Sequence, residues 1–409
     1  MNILKNKSSV NTLLLVTIVS FLSACSDGSD DRDDIIQADP LTVASYNVGL
    51  ALNFVPYTNE RLPVNAALLA DYDSDVLCLQ EVWLEEYVET IEQALIDDYP
   101  YIYTVEAEQI FTDEAPCTDE DIADFAACLD AQCPDLAGAD FVGCASTQCF
   151  TELTELPGAC FDAVVGSTGV PNIDLEILVD RVTQPTGIFA YDGALGLMLA
   201  SKHELQQREF QDFIDDSTGN HRGALYAEIE VNEQSHVVGC AHPTANLEAS
   251  APYPESGKHG SWEGENRFMQ EQMISFVNNK AGDRPILFGG DFNCSIANAS
   301  NGVDAEFPDN CQLWLDDGFV DPAAEQLPCT FCNDENLILQ EGSGTDNTLL
   351  DHVFVKNVGT ADSIVADRVF DDPVSIEALD PPSELQPEDS PMMTHPSDHF
   401  GVELNIRLP

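Results

Sequence analysis

Basic residues are scarce: 15 Lys and Arg stand against 73 Asp and Glu, for a formal net charge of −58. A surface so acidic repels DNA, RNA and anionic lipid at long range, which weighs against a protein that grips polyanions along its body. The same charge also suits life in high salt, where screening shortens electrostatic reach to a few ångströms. A membrane-spanning run is lacking as well, since the uncharged stretch from Leu13 to Phe21 is too short to cross a bilayer as a helix. Nor is there a glycine-rich βαβ fingerprint or a Cys/His tetrad at zinc spacing.

What the N-terminus does have is Lys5 and Lys7, the apolar run, and small residues ahead of Cys25, the layout of a secretory signal over residues 1–24. Leu22-Ser23-Ala24-Cys25 is similar to the lipobox of bacterial lipoproteins, which implies cleavage before Cys25 and acylation of its new N-terminus. The expectation is therefore an exported chain held by lipid at Cys25 to a bacterial membrane, the outer membrane on its periplasmic or surface side. Residues 25–40 are acidic and without apolar period, so they read as a solvated tether. Removing the signal takes away Lys5 and Lys7 and no acid, moving the formal charge from −58 to −60. Of 13 cysteines, one goes to lipid, and the other 12 favour disulfides in an oxidising compartment.

From Leu41 onward, strand-like runs recur at Leu41–Asn47, Asp75–Gln80, Ala194–Ala200, Ala224–Val231, His236–Cys240, Pro285–Gly289, His352–Val355 and Val402–Arg407. Helical periodicity appears at Leu62–Ala70 and Asn266–Asn278. This mixture predicts an α/β domain over residues 41–409, with sheets packed on each other and helices outside. One segment breaks the pattern. From Cys117 to Cys160, six cysteines fall at intervals of 11, 5, 11, 5 and 11, a 16-residue period that reads as a small repeat of stapled helices inserted in the domain. Six cysteines permit 15 pairings, and spacing alone does not choose among them. Cys294, Cys311, Cys329 and Cys332 read as loop disulfides, Cys78 and Cys240 as small buried hydrophobes inside strands. His395, in the proline-rich stretch Pro381–Pro396, reads as a loop residue.

Six strand ends carry polar groups. Asn47 closes Ser45-Tyr46-Asn47 and alone would read as a turn residue. Glu81 follows the strand-like run Asp75–Gln80 with its four apolar residues Val76–Leu79, and a carboxylate there is costly to bury unless a cation neutralises it, which makes it the leading metal ligand. His242 ends Val237–Ala241. Asp291 and Asn293 follow Ile286-Leu287-Phe288 and two glycines read as a tight turn; on an extended chain both side chains share a face. Asp351 opens a strand before His352, and Asp398-His399 precede the terminal strand, where Asp351 is suited to fix the tautomer of His399.

In order and in flanking sequence, Asn47, Glu81, His242, Asp291 with Asn293, Asp351, and Asp398 with His399 resemble the endonuclease/exonuclease/phosphatase family across nearly all of residues 41–409 apart from the cysteine insert. The resemblance implies a four-layer sandwich of two packed mixed β-sheets flanked by helices, with both sheets feeding one cleft. It implies metal binding by Glu81 with Asn47 and Asp398, nucleophile orientation by Asp291, phosphate contact by Asn293 and His242, a His399–Asp351 pair, and Arg222 near the phosphate. The oxygen donors suit Mg²⁺, with Mn²⁺ or Ca²⁺ as alternatives. Flanks such as Gly193–Ser201, Arg222–Tyr226 and Asn266–Gln270 look most like the sphingomyelinase branch, so the expected substrate is a phosphodiester of phospholipid type. A DNase-like secreted nuclease and an inactive binding lipoprotein are the competing readings.

Overall fold

The computed structural model describes residues 40–105, 114–185, 195–248, 253–255, 257–341, 344–358, 363–376 and 392–407. Residues 1–39, which hold the expected signal, Cys25 and nearly all of the expected tether, lie outside the described residues, as do Ala194 and Pro381–Pro391. The strands are β1 (Leu41–Asn47), β2 (Val76–Val82), β3 (Tyr101–Thr104), β4 (Gly196–Ser201), β5 (Gln206–Asp212), β6 (Gly223–Val231), β7 (Gln234–His242) and β8 (Ile286–Asp291), followed by the short β9 (Phe331–Cys332) and β10 (Asn347–Thr348). After these come β11 (Asp351–Lys356), β12 (Ile364–Val369), β13 (Val374–Ile376), β14 (Met392–Thr394) and β15 (Gly401–Ile406).

Two mixed sheets result, ordered β12-β15-β1-β2-β4-β3 and β11-β8-β7-β6-β5. The period of two sorts their side chains into layers. Along β1 and β2, Val43, Val76 and Cys78 join Leu225, Val238 and Leu287 of the other sheet in one buried core. Alternate residues Ala44, Tyr46, Leu77 and Leu79 face outward into a second core. That outer core is covered by α1 (Thr58–Ala70) and α2 (Glu85–Leu95) through Leu69, Tyr87, Ile91 and Leu95. The outer face of the second sheet packs Phe288 and Phe354 against Trp314 and the methionines of the 20-residue helix Trp262–Ala281. Helix, sheet, sheet, helix is the expected four-layer order.

The glycines before Asp291 lie inside β8 rather than in a turn. A Cβ on Gly289 would stand 3.2 Å from Cys78 Cβ, and one on Gly290 2.5 Å from the Ala241 carbonyl oxygen. These two positions are small because the sheets and strands approach closely there. Cys78 and Cys240 are not simple buried hydrophobes: they form a disulfide that joins β2 to β7 across the inter-sheet core. The loop cysteines pair as Cys294–Cys311 and Cys329–Cys332.

Between β3 and β4 the insert folds as helices α3 (Asp119–Gln132), α4 (Gly138–Gln148), α5 (Phe150–Thr154), α6 (Gly158–Ser167) and α7 (Leu175–Val182) around their own core. Its bridges are nested, Cys133–Cys144 inside Cys128–Cys149 inside Cys117–Cys160. The interval string is symmetric about its centre, so it fits a folded-back hairpin as well as a tandem repeat, and the hairpin is what forms. The helical unit also runs past Cys160, because Leu178 and Val182 of α7 complete the core and the Val182 carbonyl accepts from Cys117 N–H. Continuing in chain order, Trp262–Ala281 is α8, Pro308–Asp316 is α9 and Pro322–Gln326 is α10.

Candidate active site

Strand register brings the polar ends together. Asn47 sits beside Gln80 across the parallel β1–β2 pair, Ala241 beside Gly290 across β7–β8, Asp351 opposite Asp291, and Gly223 opposite His242. All these strand ends meet at one edge of the sandwich.

Glu81 reaches that edge through a bulge. Strict alternation after Cys78 and Gln80 would send residue 81 toward the helices, but the β2–β4 register shifts between Leu79 and Val82 and Glu81 adopts φ 60°. The bulge redirects its carboxylate into the cleft. There Asn47 Nδ2 donates to Glu81 Oε1 at 3.2 Å and to Asp291 Oδ2 at 2.9 Å. Asn47 itself is fixed by Gly49 N–H donating to its Oδ1. Gly49 has φ 60°, and a Cβ there would stand 2.4 Å from Asp398 Oδ1, so only glycine lets the Asp398 loop pass so near.

The rest comes from both sheets: His242, Asp291 and Asp351 stand on strands of the second, and His399 precedes β15 of the first. His242 Nε2 lies 3.4 Å from Asp291 Oδ2 and 4.0 Å from Glu81 Oε1. His399 Nε2 lies 3.8 Å from the same Asp291 oxygen, while its Nδ1 is 2.8 Å from Asp351 Oδ2. Asn293 arrives by a different route from the extended chain expected. β8 ends at Asp291, Asn293 takes φ 49°, its N–H donates to Asp291 Oδ1, and its side-chain amide donates to the Pro243 carbonyl. A primary amide has two N–H donors, so that bond leaves one over. Arg222 is buried on the same cavity wall with its guanidinium 5.9 Å from the Trp83 ring centre.

Charge is distributed unevenly among these groups. Burial pushes the Glu81 carboxyl up to about 7, with Asp398 adding to the shift and His399 opposing it. Burial likewise raises Asp291, to about 6, against the pull of His399. Burial, Arg222 and His399 hold His242 well below its usual value, so it is a neutral imidazole. For His399 burial works downward, but Asp351 and Asp291 outweigh it and the ring is held as an imidazolium. One neutral and one charged histidine thus flank a single carboxylate.

Several contributors were not among the site residues read from the sequence. Arg61, alone on a helix, is fully buried and donates to the carbonyls of Pro56, Val48, Gly49 and Pro396, tying the loop after Asn47 to the one before His399. Ser397 Oγ donates to the Asn47 carbonyl. From α8, Asn266 donates to the carbonyls of Thr244 and Phe292, and Gln270 to Phe292, which pins the turns after His242 and Asp291. Glu306, half-buried on the cavity wall, is pushed up to about 7 by burial and Asp291. His395 is not a loose loop residue: it is buried, and its Nδ1 accepts from Leu337 N–H.

The donor chemistry fits a hard divalent cation. Glu81 and Asp398 offer carboxylate oxygens and Asn47 an amide, and the raised Glu81 marks negative charge that the protein leaves short of compensation. Asp291, Asp351 and His399 also have donor atoms within 4.8 Å of one another. In that second set the Asp351–His399 hydrogen bond already occupies two members. Among the described residues the other close group, Cys294, Cys311 and His352, is closed to metal by its disulfide.

The profile of the Endonuclease/Exonuclease/phosphatase family matches residues 44–399. No curated protein sequence matches the chain. Among solved structures, SmcL is 14% identical with a TM-score of 0.52, and sphingomyelinase C from Streptomyces griseocarneus is 15% identical at 0.51. A beta toxin variant from Staphylococcus aureus with bound magnesium ions is 14% identical at 0.51. Each comparison covers 90% of this chain and 99% of the other.

Proposed function

Because the chain belongs to the endonuclease/exonuclease/phosphatase family, we propose that it is a divalent-metal-dependent phosphodiesterase acting on a phospholipid of the sphingomyelin type. One observation carries the reading: Asn47, Glu81, His242 and His399 all lie within 4.0 Å of Asp291 or of one another, although they come from distant stretches of chain and from both sheets.

In this reading Glu81 and Asp398, with Asn47, hold the cation, Mg²⁺ by preference with Mn²⁺ or Ca²⁺ able to replace it. When bound, the ion supplies positive charge to the phosphate oxygens. Asp291 orients the attacking water and takes its proton, a task suited to a carboxyl whose pKa lies near neutrality. The protonated His399, steadied by Asp351, donates toward charge that develops on the phosphoryl group and gives its proton to the leaving alcohol oxygen as that P–O bond breaks. Neutral His242, Arg222 and the remaining N–H of Asn293 complete the donor set around the nonbridging oxygens.

A phospholipid is favoured over nucleic acid by the charge of −58, which repels a polyanion and tolerates a zwitterionic headgroup. One neighbour of the same fold is named a sphingomyelinase C. The same proposal puts the enzyme outside the cytoplasm, anchored through Cys25. Supporting that are the signal and lipobox pattern of residues 1–25 and the six cysteine bridges, which persist in oxidising compartments.

The test is to offer the purified protein sphingomyelin vesicles, plasmid DNA and bis-p-nitrophenyl phosphate, each with Mg²⁺ or with EDTA. Metal-dependent hydrolysis of sphingomyelin and of the small diester is expected. Cleavage of DNA alone would refute the lipid assignment, and turnover unaffected by EDTA would refute the metal.

A further inference from the structure

A cavity of ≈ 430 Å³ opens beside Asp291 and His399, and much of its wall belongs not to the sandwich but to the cysteine-rich insert. Phe125, Phe141, Val142, Ala145, Leu153 and Val164 line it, together with the site residues Glu81, His242, Asp291 and His399. The volume falls within the range of small-molecule pockets, about 300–1,000 Å³. A hydrolytic centre for a charged ester needs only polar surroundings, so a hydrocarbon wall reaching up to it calls for a separate explanation.

That wall is built to persist. Three nested disulfides staple the helices that carry it. The insert is also fastened on both sides of the cleft. Asn53, six residues beyond Asn47, donates to the carbonyls of Thr168 and Val170 at 2.9 and 3.3 Å. On the other side Gly219, three residues before Arg222, donates its N–H to Asp162 Oδ1 at 2.7 Å. Both fastenings lie in loops that lead directly to site residues, so the apolar wall keeps its place relative to the chemistry.

We infer that the insert forms a binding pocket for a hydrocarbon chain esterified to the phosphate, so that the substrate is a phosphodiester with at least one long alkyl arm. The inference rests on the phosphodiesterase reading and adds to it the part of the protein that holds the hydrocarbon. Continuity with the phosphoester site is what selects the occupant, because a group in this pocket must be attached within a few bonds of a phosphate lying against Asp291 and His399. Apolar contact then supplies binding that an acidic protein does not gain from the phosphate itself.

The experiment uses n-alkyl p-nitrophenyl phosphates with chains of one, four, eight and twelve carbons, held monomeric, and follows nitrophenolate release by the intact protein with Mg²⁺. The inference predicts that kcat/KM rises with chain length, by up to roughly fourfold per methylene while the chain is entering the pocket. It predicts further that Ala145→Trp, which fills the cavity, drives the dodecyl-to-methyl ratio of kcat/KM down toward one; the unfolding midpoint of the variant verifies that the insert is folded. Equal kcat/KM for all chain lengths, with the methyl ester hydrolysed, would overturn the pocket and leave the phosphodiesterase reading standing. An unchanged ratio in a folded Ala145→Trp protein would overturn it too. If no ester is hydrolysed, the phosphodiesterase reading fails and the inference falls with it.

Discussion

Replacing both Cys78 and Cys240 with alanine should destabilise the protein and loosen its active centre together. The bridge closes a loop with a sequence separation of 162 and joins the interior of β2 to β7 two residues before its end. The chain-entropy relation for a cross-link of that length gives a loss of about 5 kcal/mol at room temperature. With an m-value near 3 kcal/mol/M in urea, the midpoint should fall by about 1.7 M. Glu81 lies three residues beyond Cys78 and His242 two beyond Cys240, and Gln80 Nε2 contacts both sulfurs between them. The two strands that bear Glu81 and His242 are thus held at fixed separation by this bond, and kcat should fall in conditions where the variant is still folded. Urea titration followed by fluorescence, paired with turnover of bis-p-nitrophenyl phosphate, reads both effects. An unchanged midpoint would refute the stabilising role of the bridge, and full kcat in a folded variant would refute its part in positioning the site.

Other outcomes follow from the same geometry. Asp291→Asn keeps the shape and removes the base, and should lower kcat by about a hundredfold or more with little change in unfolding midpoint; a residual rate above a tenth of wild type would remove Asp291 from the chemistry. Arg61→Ala strands the buried carbonyls of Val48, Gly49 and Pro396, each worth about 1–3 kcal/mol, so a loss of at least about 3 kcal/mol is expected. Arg61→Lys should not restore it, since an ammonium cannot make the same planar fork. The buried His352 is 2.8 Å from Asp321 and its pKa is raised: burial opposes the shift and Asp321 outweighs it. A raised folded-state value means this pair stabilises fully below the ordinary 6.5 and is lost as pH climbs through the higher folded value. The stability gap between wild type and Asp321→Asn should therefore shrink with rising pH, by at most about 1.4 kcal/mol per unit, and a gap independent of pH would contradict the pairing. Radiolabelled palmitate should enter the full-length chain in a bacterial host and be absent from Cys25→Ser.

The strands that bear the site were legible because each is an apolar run ending in one polar residue, and alternation alone separates the inter-sheet core from the helix-facing one. The residues that gather at the cleft were legible as a set for the same reason. How they enter the cleft was not. Glu81 depends on a bulge and Asn293 on a left-handed turn residue, and both break the periodicity from which they were read. Arg61 was not singled out, since only the tertiary fold wraps four carbonyls around it. The Cys78–Cys240 bond spans two sheets whose pairing no local pattern records, and the insert's nested bridges share one interval string with a tandem repeat.

The cation site at the junction of the two sheets is the claim on which the mechanism depends. Crystals soaked in Mn²⁺ and measured for anomalous scattering would locate the ion directly. A single strong peak in contact with Glu81, with Asn47 and Asp398 beside it, is the expected result; no peak, or one seated on Asp351 and His399 away from Glu81, would contradict the account.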